Sequence, residues 1–153
     1  MFNRCKKLKV TALSLIILFI LISVSWKADY RNDWMWIQRL LLQAYHQSAT
    51  MELKKWDLSV TPEGFFRLRK QFPSGKKEYF SFNFKRIADI SYDGSTDSGE
   101  IVFITSGDDI IVQTYNDPNG NIDSMASVLR IPVINIGKGQ VDSLKNTVLM
   151  FKH

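Results

Sequence analysis

A run of 17 uncharged residues near the N-terminus divides this chain into a short basic flank and a longer polar part. The run extends from Val10 to Trp26 and is rich in leucine and isoleucine. As a helix it would reach roughly 25 Å, near the lower limit for crossing a bilayer core of about 30 Å. We therefore predict a transmembrane signal-anchor helix over residues 10–26, so any fold built in water must form from the residues after it.

Basic residues are concentrated on the N-terminal side of that run. The flank 1–9 contains four basic residues and no acid, whereas two basic and two acidic residues are mixed within residues 27–33. Basic residues beside a membrane span favour the cytoplasmic side. This predicts a cytoplasmic flank and an extracytoplasmic C-terminal domain, in a periplasm or its equivalent. The alternative is a secretory signal peptide cleaved after Ser25, which would make the domain a secreted protein.

Residues 28–50 have the spacing of an amphipathic helix. Trp34, Ile37, Leu41 and Tyr45 recur at intervals of three and four. Such a juxtamembrane helix can continue the membrane span, lie at the membrane surface, or pack on the following domain. Aromatic residues are enriched at membrane interfaces, and we predict four membrane-interface residues here: Trp26, Tyr30, Trp34 and Trp36.

From residue 54 onward the pattern changes to short strands. The clearest hairpin joins 65–72 to 77–84 through a Pro-Ser-Gly-Lys turn. On its first strand Phe66 and Leu68 alternate with Arg67 and Arg69, which predicts a sheet with one apolar and one solvated face. Lys70 is an exception, because the alternation places it on the apolar face.

The rest of the chain completes an α+β prediction. Further strands are expected at 55–61, 87–92, 100–105, 109–115 and 133–136, and short helices at Met125–Arg130 and Val141–Phe151. We expect a transmembrane helix, a juxtamembrane helix, and a small antiparallel β-rich domain at 54–153. That domain is barrel- or sandwich-like and carries one or two short C-terminal helices.

The order of these elements resembles bacterial pleckstrin-homology-like domains. The resemblance rests on the turn-rich hairpins, on the segment 84–92 that runs into a strand, and on the turn at 107–109. It covers roughly half of the chain and includes no diagnostic motif. It implies a small antiparallel barrel or sandwich closed by a helix, and a domain that binds a lipid or another ligand.

Charge is segregated within the predicted domain. After the membrane run, 16 basic residues face all 15 acidic ones, a net charge of +1, so bulk attraction to nucleic acid is not expected. Residues 67–86 contain seven basic residues and one acid, whereas residues 87–129 contain eight acids and no lysine or arginine. We predict partner-binding residues in both blocks: Arg67, Arg69, Lys76, Lys77, Asp93, Asp97, Asp108 and Asp109.

No catalytic or metal-binding motif stands out. His46 and His153 are the only histidines and Cys5 is the only cysteine, too scattered for a zinc site or a nucleophile–base pair. Two acidic turns, at 93–100 and 117–123, resemble calcium loops, but the second has isoleucine and valine where glycine and glutamate are required. We expect turns there, and neither a cofactor nor a bound metal.

The sequence therefore predicts a non-enzymatic, single-pass membrane protein whose β-rich domain contacts a protein partner in the cell envelope. One alternative is a lipid- or ligand-binding module similar to pleckstrin-homology domains. Another is a small carboxylate-dependent hydrolase, for which no particular pair of acids is indicated. Nothing in the sequence specifies the partner or the oligomeric state.

Overall fold

A computed structural model describes residues 33–47, 49, 51–95 and 97–152. The predicted flank 1–9, the predicted span 10–26, and the interface residues Trp26 and Tyr30 lie outside these ranges. Within them, neither helix is long and apolar enough to span a membrane.

The described chain contains two α-helices and eight antiparallel strands, which confirms the α+β class and the small β-rich domain. The elements are α1 Asp33–Ala44, β1 Lys55–Val60, β2 Phe65–Gln71, β3 Lys77–Asn83, a 3-10 turn Phe84–Arg86, β4 Ile87–Gly94, β5 Ser98–Thr105, β6 Ile110–Tyr115, β7 Asp123–Ala126, β8 Val128–Ile134 and α2 Lys138–Met150.

The strands form two sheets with their apolar faces turned toward each other. One sheet has the order β1-β2-β3-β6-β7 and the other β4-β5-β8. Phe66, Phe82 and Phe103 meet between them, with ring centroids 4.9 to 5.8 Å apart. All three rings are buried, so aromatic contacts of this kind join the two sheets in one core.

The expected helix at Met125–Arg130 is wrong, because all of these residues except Ser127 belong to β7 and β8. Leu129, Ile131 and Val133 are buried at alternate positions, whereas Arg130 is exposed. Pro132 fits this arrangement because β8 is an edge strand, and proline is tolerated at an edge where no amide donor is needed. A single helix, α2, therefore follows the strands.

Helix α1 and the two residues that follow it, Tyr45 and His46, contact the open edges of both sheets. On the β1 side, the Gln38 carboxamide oxygen accepts a hydrogen bond from the Val60 amide at 2.8 Å. On the β8 side, the His46 amide donates to the Pro132 carbonyl at 2.9 Å. The residues that face the core are all buried: Ile37, Leu40, Leu41 and Ala44. Of the three interpretations of residues 28–50, packing on the domain is the one that describes the buried face of α1. The helix ends at Ala44, before the predicted end at residue 50.

Helix α2 also packs on the core, and its first turns line a cleft together with α1. Its Val141, Leu144 and Val148 are buried, and the ring of Phe151 contacts Phe84 edge-on at 5.5 Å. The turn between β1 and β2 requires Gly64, because its φ is +79° and a Cβ there would lie 2.8 Å from the Phe151 ring. The helix predicted at Val141–Phe151 is confirmed, with its start three residues earlier.

Candidate functional site

The solvent-facing side of the five-stranded sheet brings residues of the consecutive strands β1, β2 and β3 together with residues of β6 and β7, which come later in the sequence. Across β1, β2, β3 and β6 one row reads Asp57, Arg69, Tyr79 and Gln113, because the strands pair in that register. The neighbouring rows place Arg67 beside Ser81 and Ile111, and Lys77 beside Gln71 and Tyr115. We call this surface the outer face. Its members are Lys55, Asp57, Phe65, Arg67, Arg69, Lys77, Tyr79, Ile111, Tyr115 and Met125.

The basic side chains of the outer face have no carboxylate partner in the described part of the chain. Within the described ranges, no ion pair involves Lys55, Arg67, Arg69 or Lys77. The Arg69 guanidinium instead lies over the Tyr79 ring, 5.7 Å from its centroid. A cleft of about 360 Å³ opens beside Lys55, Arg69 and Lys77. Positive charge is thus held on a rigid sheet and left available to an acidic group of another molecule.

Apolar side chains are exposed on the same surface. Phe65, Ile111, Tyr115 and Met125 are each 40 to 53% exposed. Tyr115 packs edge-on against Tyr79 with their centroids 5.3 Å apart, so two aromatic rings stand side by side. Aromatic, methionine and arginine side chains are the types enriched at the centres of protein interfaces.

Lys76 does not share the outer face with the other predicted basic residues. Its ammonium lies 3.1 Å from Glu78 Oε1 and 2.8 Å from Asp117 Oδ2, at the end of the sheet. These two bonds, Asp117 first and then Glu78, raise the pKa of Lys76. The ammonium in turn holds the pKa of Asp117 below its usual value, helped by the Asn119 amide. Lys76 is therefore engaged inside the molecule, while three predicted basic residues remain together: Arg67, Arg69 and Lys77.

The predicted acidic residues fall at two separate places. Asp93 and Asp97 lie near the start of β5 and Asp108 and Asp109 follow its end, roughly 24 Å away along an extended strand. Arg130 bonds Asp93 and Glu100 at 3.4 and 3.1 Å. Arg86 bonds Asp109 at 2.9 Å. The four predicted aspartates therefore do not form one surface, and two of them, Asp93 and Asp109, are paired with an arginine.

The two described tryptophans of the predicted interface set differ in their environments. Trp34 packs against the core, whereas Trp36 is 36% exposed. Met35 and Leu42 are also exposed on α1, on the same side of the helix as Arg39. Their contact with a membrane stays a prediction.

In the described part of the chain, no three His, Cys, Asp or Glu side chains converge as metal ligands would. In the 117–123 turn, Asp117 accepts from the Asn119 amide at 3.0 Å and bonds Lys76. Both carboxylate oxygens of Asp117 are therefore used within the protein.

Sequence reasoning missed Ile111, Tyr115 and Met125 as members of the outer face. Alternation within β6 marks Ile111 and Tyr115 as lying on one side of that strand, but nothing local indicates that β6 pairs with β3. The chain matches no known protein family, no curated protein and no solved structure.

Proposed function

We propose that this chain is a single-pass, membrane-anchored binding protein without enzymatic activity, whose domain captures a protein partner in the cell envelope through the outer face. The observation that carries the proposal is the coincidence of unpaired basic residues and exposed aromatic and aliphatic residues on one rigid sheet. The membrane location rests on the uncharged run at 10–26 and the basic flank before it.

The partner surface that fits is acidic with apolar groups beside the acids. Arg67, Arg69 and Lys77 lie on two adjacent strands, so carboxylates spaced along an extended segment or a sheet edge would meet them together. Phe65, Ile111 and Met125 offer apolar contact on the same face. Charge complementarity of this kind mainly raises the association rate and selects the partner, while buried aromatic contacts set the lifetime.

Co-purification from membranes tests this proposal. The full chain with Arg67→Glu and Arg69→Glu should lose most of the captured partner in low salt, because the reversed charges repel an acidic surface. A matched control carries Lys85→Glu and Lys138→Glu, which changes the net charge equally at two exposed lysines outside the outer face. Equal loss from both variants, or capture unchanged in the first, would contradict the outer face as the binding surface.

A lipid-binding role is the second candidate, favoured by the exposed side of α1 and by the resemblance to pleckstrin-homology-like domains. Met35, Trp36 and Leu42 are exposed there beside Arg39, a combination typical of helices at a membrane surface. Liposome flotation of residues 28–153, with folding checked by circular dichroism, separates the two roles. Flotation that Trp36→Ser abolishes and the outer-face reversal leaves intact would favour lipid binding.

A further inference from the structure

A second cleft, of about 400 Å³, opens where β2 turns into β3, on the core side of the sheet. It lies among the end of α1, the segment after it, the β2–β3 hairpin and the β6–β7 loop. We call it the inner cleft. Its apolar walls are Tyr45, Met51, Leu53, Phe72, Pro118 and Pro132. Polar and charged side chains complete the lining: His46, Gln47, Lys70, Ser74, Lys76, Glu78, Asp117 and Asn119. A concave site of this volume that combines apolar surface with polar groups is typical of small-molecule binding.

Lys70 is the unusual polar group of the inner cleft. It is the lysine that the alternation of β2 places on the apolar face, and its side chain is only 17% exposed. Its ammonium lies 5.1 Å from the centroid of the Phe80 ring. Glu78 is the one carboxylate within 4.0 Å among the described residues, and at 4.0 Å it is too far for a hydrogen bond. Burial lowers the pKa of Lys70, and Glu78 partly opposes this.

Glu78 is already bonded to another lysine. Lys76 lies 3.1 Å from its other carboxylate oxygen and also bonds Asp117. An ammonium carries three donor hydrogens, and Lys70 makes no hydrogen bond within the described residues. The ammonium still reaches solvent at the cleft, because Asp109 Oδ2 is the buried side-chain atom left without a partner among the described residues. A carboxylate ligand would therefore replace water at Lys70 with a charge-assisted hydrogen bond.

Tyr45 contributes a second donor to the same cleft. Its ring packs on Trp56 at 4.6 Å, and its side chain is buried. Burial, and then the charge of Glu78, raise the pKa of Tyr45 to about 12. The hydroxyl therefore keeps its proton at physiological pH. Tyr45 and Lys70 both line the inner cleft, together with Glu78.

We propose that the inner cleft binds a small organic monocarboxylate with an apolar body, the carboxylate accepting hydrogen bonds from Lys70 and Tyr45. The apolar body rests against Leu53, Phe72 and Pro132. Glu78 and Asp117 disfavour a ligand with two negative charges, because they would repel the second one. Lys70 is the one residue that lines both this cleft and the cleft of the outer face, and Arg67, Arg69 and Lys77 do not line the inner cleft. The monocarboxylate site therefore does not depend on the partner-binding proposal.

Fluorine NMR on the full chain in phosphatidylcholine nanodiscs tests the inner cleft, with para-fluorohydrocinnamate as the probe and empty nanodiscs as the blank. The carboxylate should bind about tenfold or more tighter than the corresponding neutral amide, because charge-assisted hydrogen bonds are lost in the amide. Equal affinities for acid and amide, or no binding of the acid, would overturn the proposal without any variant being needed.

Substitutions at Lys70 and Tyr45 test whether these residues bind the carboxylate of the probe. Lys70→Met should remove the preference for the acid, and Tyr45→Phe should reduce it severalfold. Lys77→Met, a lysine of the outer face, is the matched control and should leave both affinities unchanged. A preference for the acid that persists in folded Lys70→Met would overturn the assignment to Lys70. The Arg67→Glu, Arg69→Glu chain should bind the probe normally, which keeps failure of this site distinct from failure of the outer face.

Discussion

The two sides of the β2–β3 hairpin carry basic residues that differ in their exposure to solvent. On the outer face, Arg67 and Arg69 are exposed and have no carboxylate partner among the described residues. On the core side, Lys70 is mostly buried beside Phe80. One residue step along a strand reverses the side-chain direction, so neighbours in sequence face different dielectric environments. The outer side suits an interface with a large partner, and the inner side suits a small ligand that needs a charged donor.

The largest expected effect is on the free energy of unfolding, and it distinguishes two adjacent phenylalanines. Phe66 is fully buried and Phe65 is 45% exposed on the outer face. Phe66→Ala should lower the free energy of unfolding by about 3–5 kcal/mol, since it leaves a cavity between the sheets. Phe65→Ala should change it by less than about 1 kcal/mol and weaken partner capture instead. Chemical denaturation measures both, and equal losses would contradict the assignment of the two faces.

Wild type should lose more of its free energy of unfolding at alkaline pH than Tyr45→Phe does. Its pKa is near 10 when unfolded and about 12 in the fold, so the unfolded state loses its proton first. The contribution of the protonated Tyr45 hydroxyl to the free energy of unfolding is complete below pH 10. It is lost as the pH rises from 10 to 12, by up to about 2–3 kcal/mol. Parallel pH profiles for wild type and Tyr45→Phe over that window would rule out a buried, neutral hydroxyl.

Lys70→Met should leave the protein as stable as wild type or raise the free energy of unfolding by about 1 kcal/mol at pH 7. The reason is that methionine fills a similar volume without a buried charge, and Glu78 keeps Lys76 as its partner. Urea titration of both chains provides the measurement. A loss above about 1 kcal/mol would mean that the Lys70–Glu78 pair is net stabilising, and would weaken the case for an ammonium available to a ligand.

The smallest expected effect on stability belongs to Arg67→Glu with Arg69→Glu. These side chains are exposed, so the free energy of unfolding should change by no more than about 0.5 kcal/mol. The association rate with the captured partner should fall at low salt and converge with wild type at high salt, because screening removes a long-range charge effect. A rate difference that is independent of salt would point to a contact of another kind.

The predictions that succeeded rest on local patterns. The hairpin at 65–72 and 77–84 is confirmed, each strand ending one residue earlier than predicted, because alternation and a Pro-Ser-Gly turn act over a few residues. The prediction at Met125–Arg130 failed because Met125, Val128 and Leu129 fit helical spacing in a short window. Hydrogen bonding to β6 and β5 decides their conformation, and those partners are distant in sequence.

Strand pairing between distant segments also places predicted binding residues that are close in sequence on different surfaces. Lys76 and Lys77 are neighbours, yet Lys77 lies on the outer face and Lys76 bonds Asp117 from a distant loop. Asp93 and Asp109 belong to one acidic block of the sequence but lie at opposite ends of β5. Charge counts indicate where ions are abundant and do not indicate which of them already have partners.

The sequence by itself determined the strand-by-strand alternation, the anomalous position of Lys70, and the uncharged run that predicts a membrane anchor. These follow from side-chain periodicity and transfer free energies, which act on a few residues at a time. Only the tertiary structure decided that β3 pairs with β6, that α1 and the residues after it contact the open edges of both sheets, and that Tyr45 lies in a cleft with Lys70. Those outcomes depend on burying all apolar faces together, which no short segment of the chain encodes.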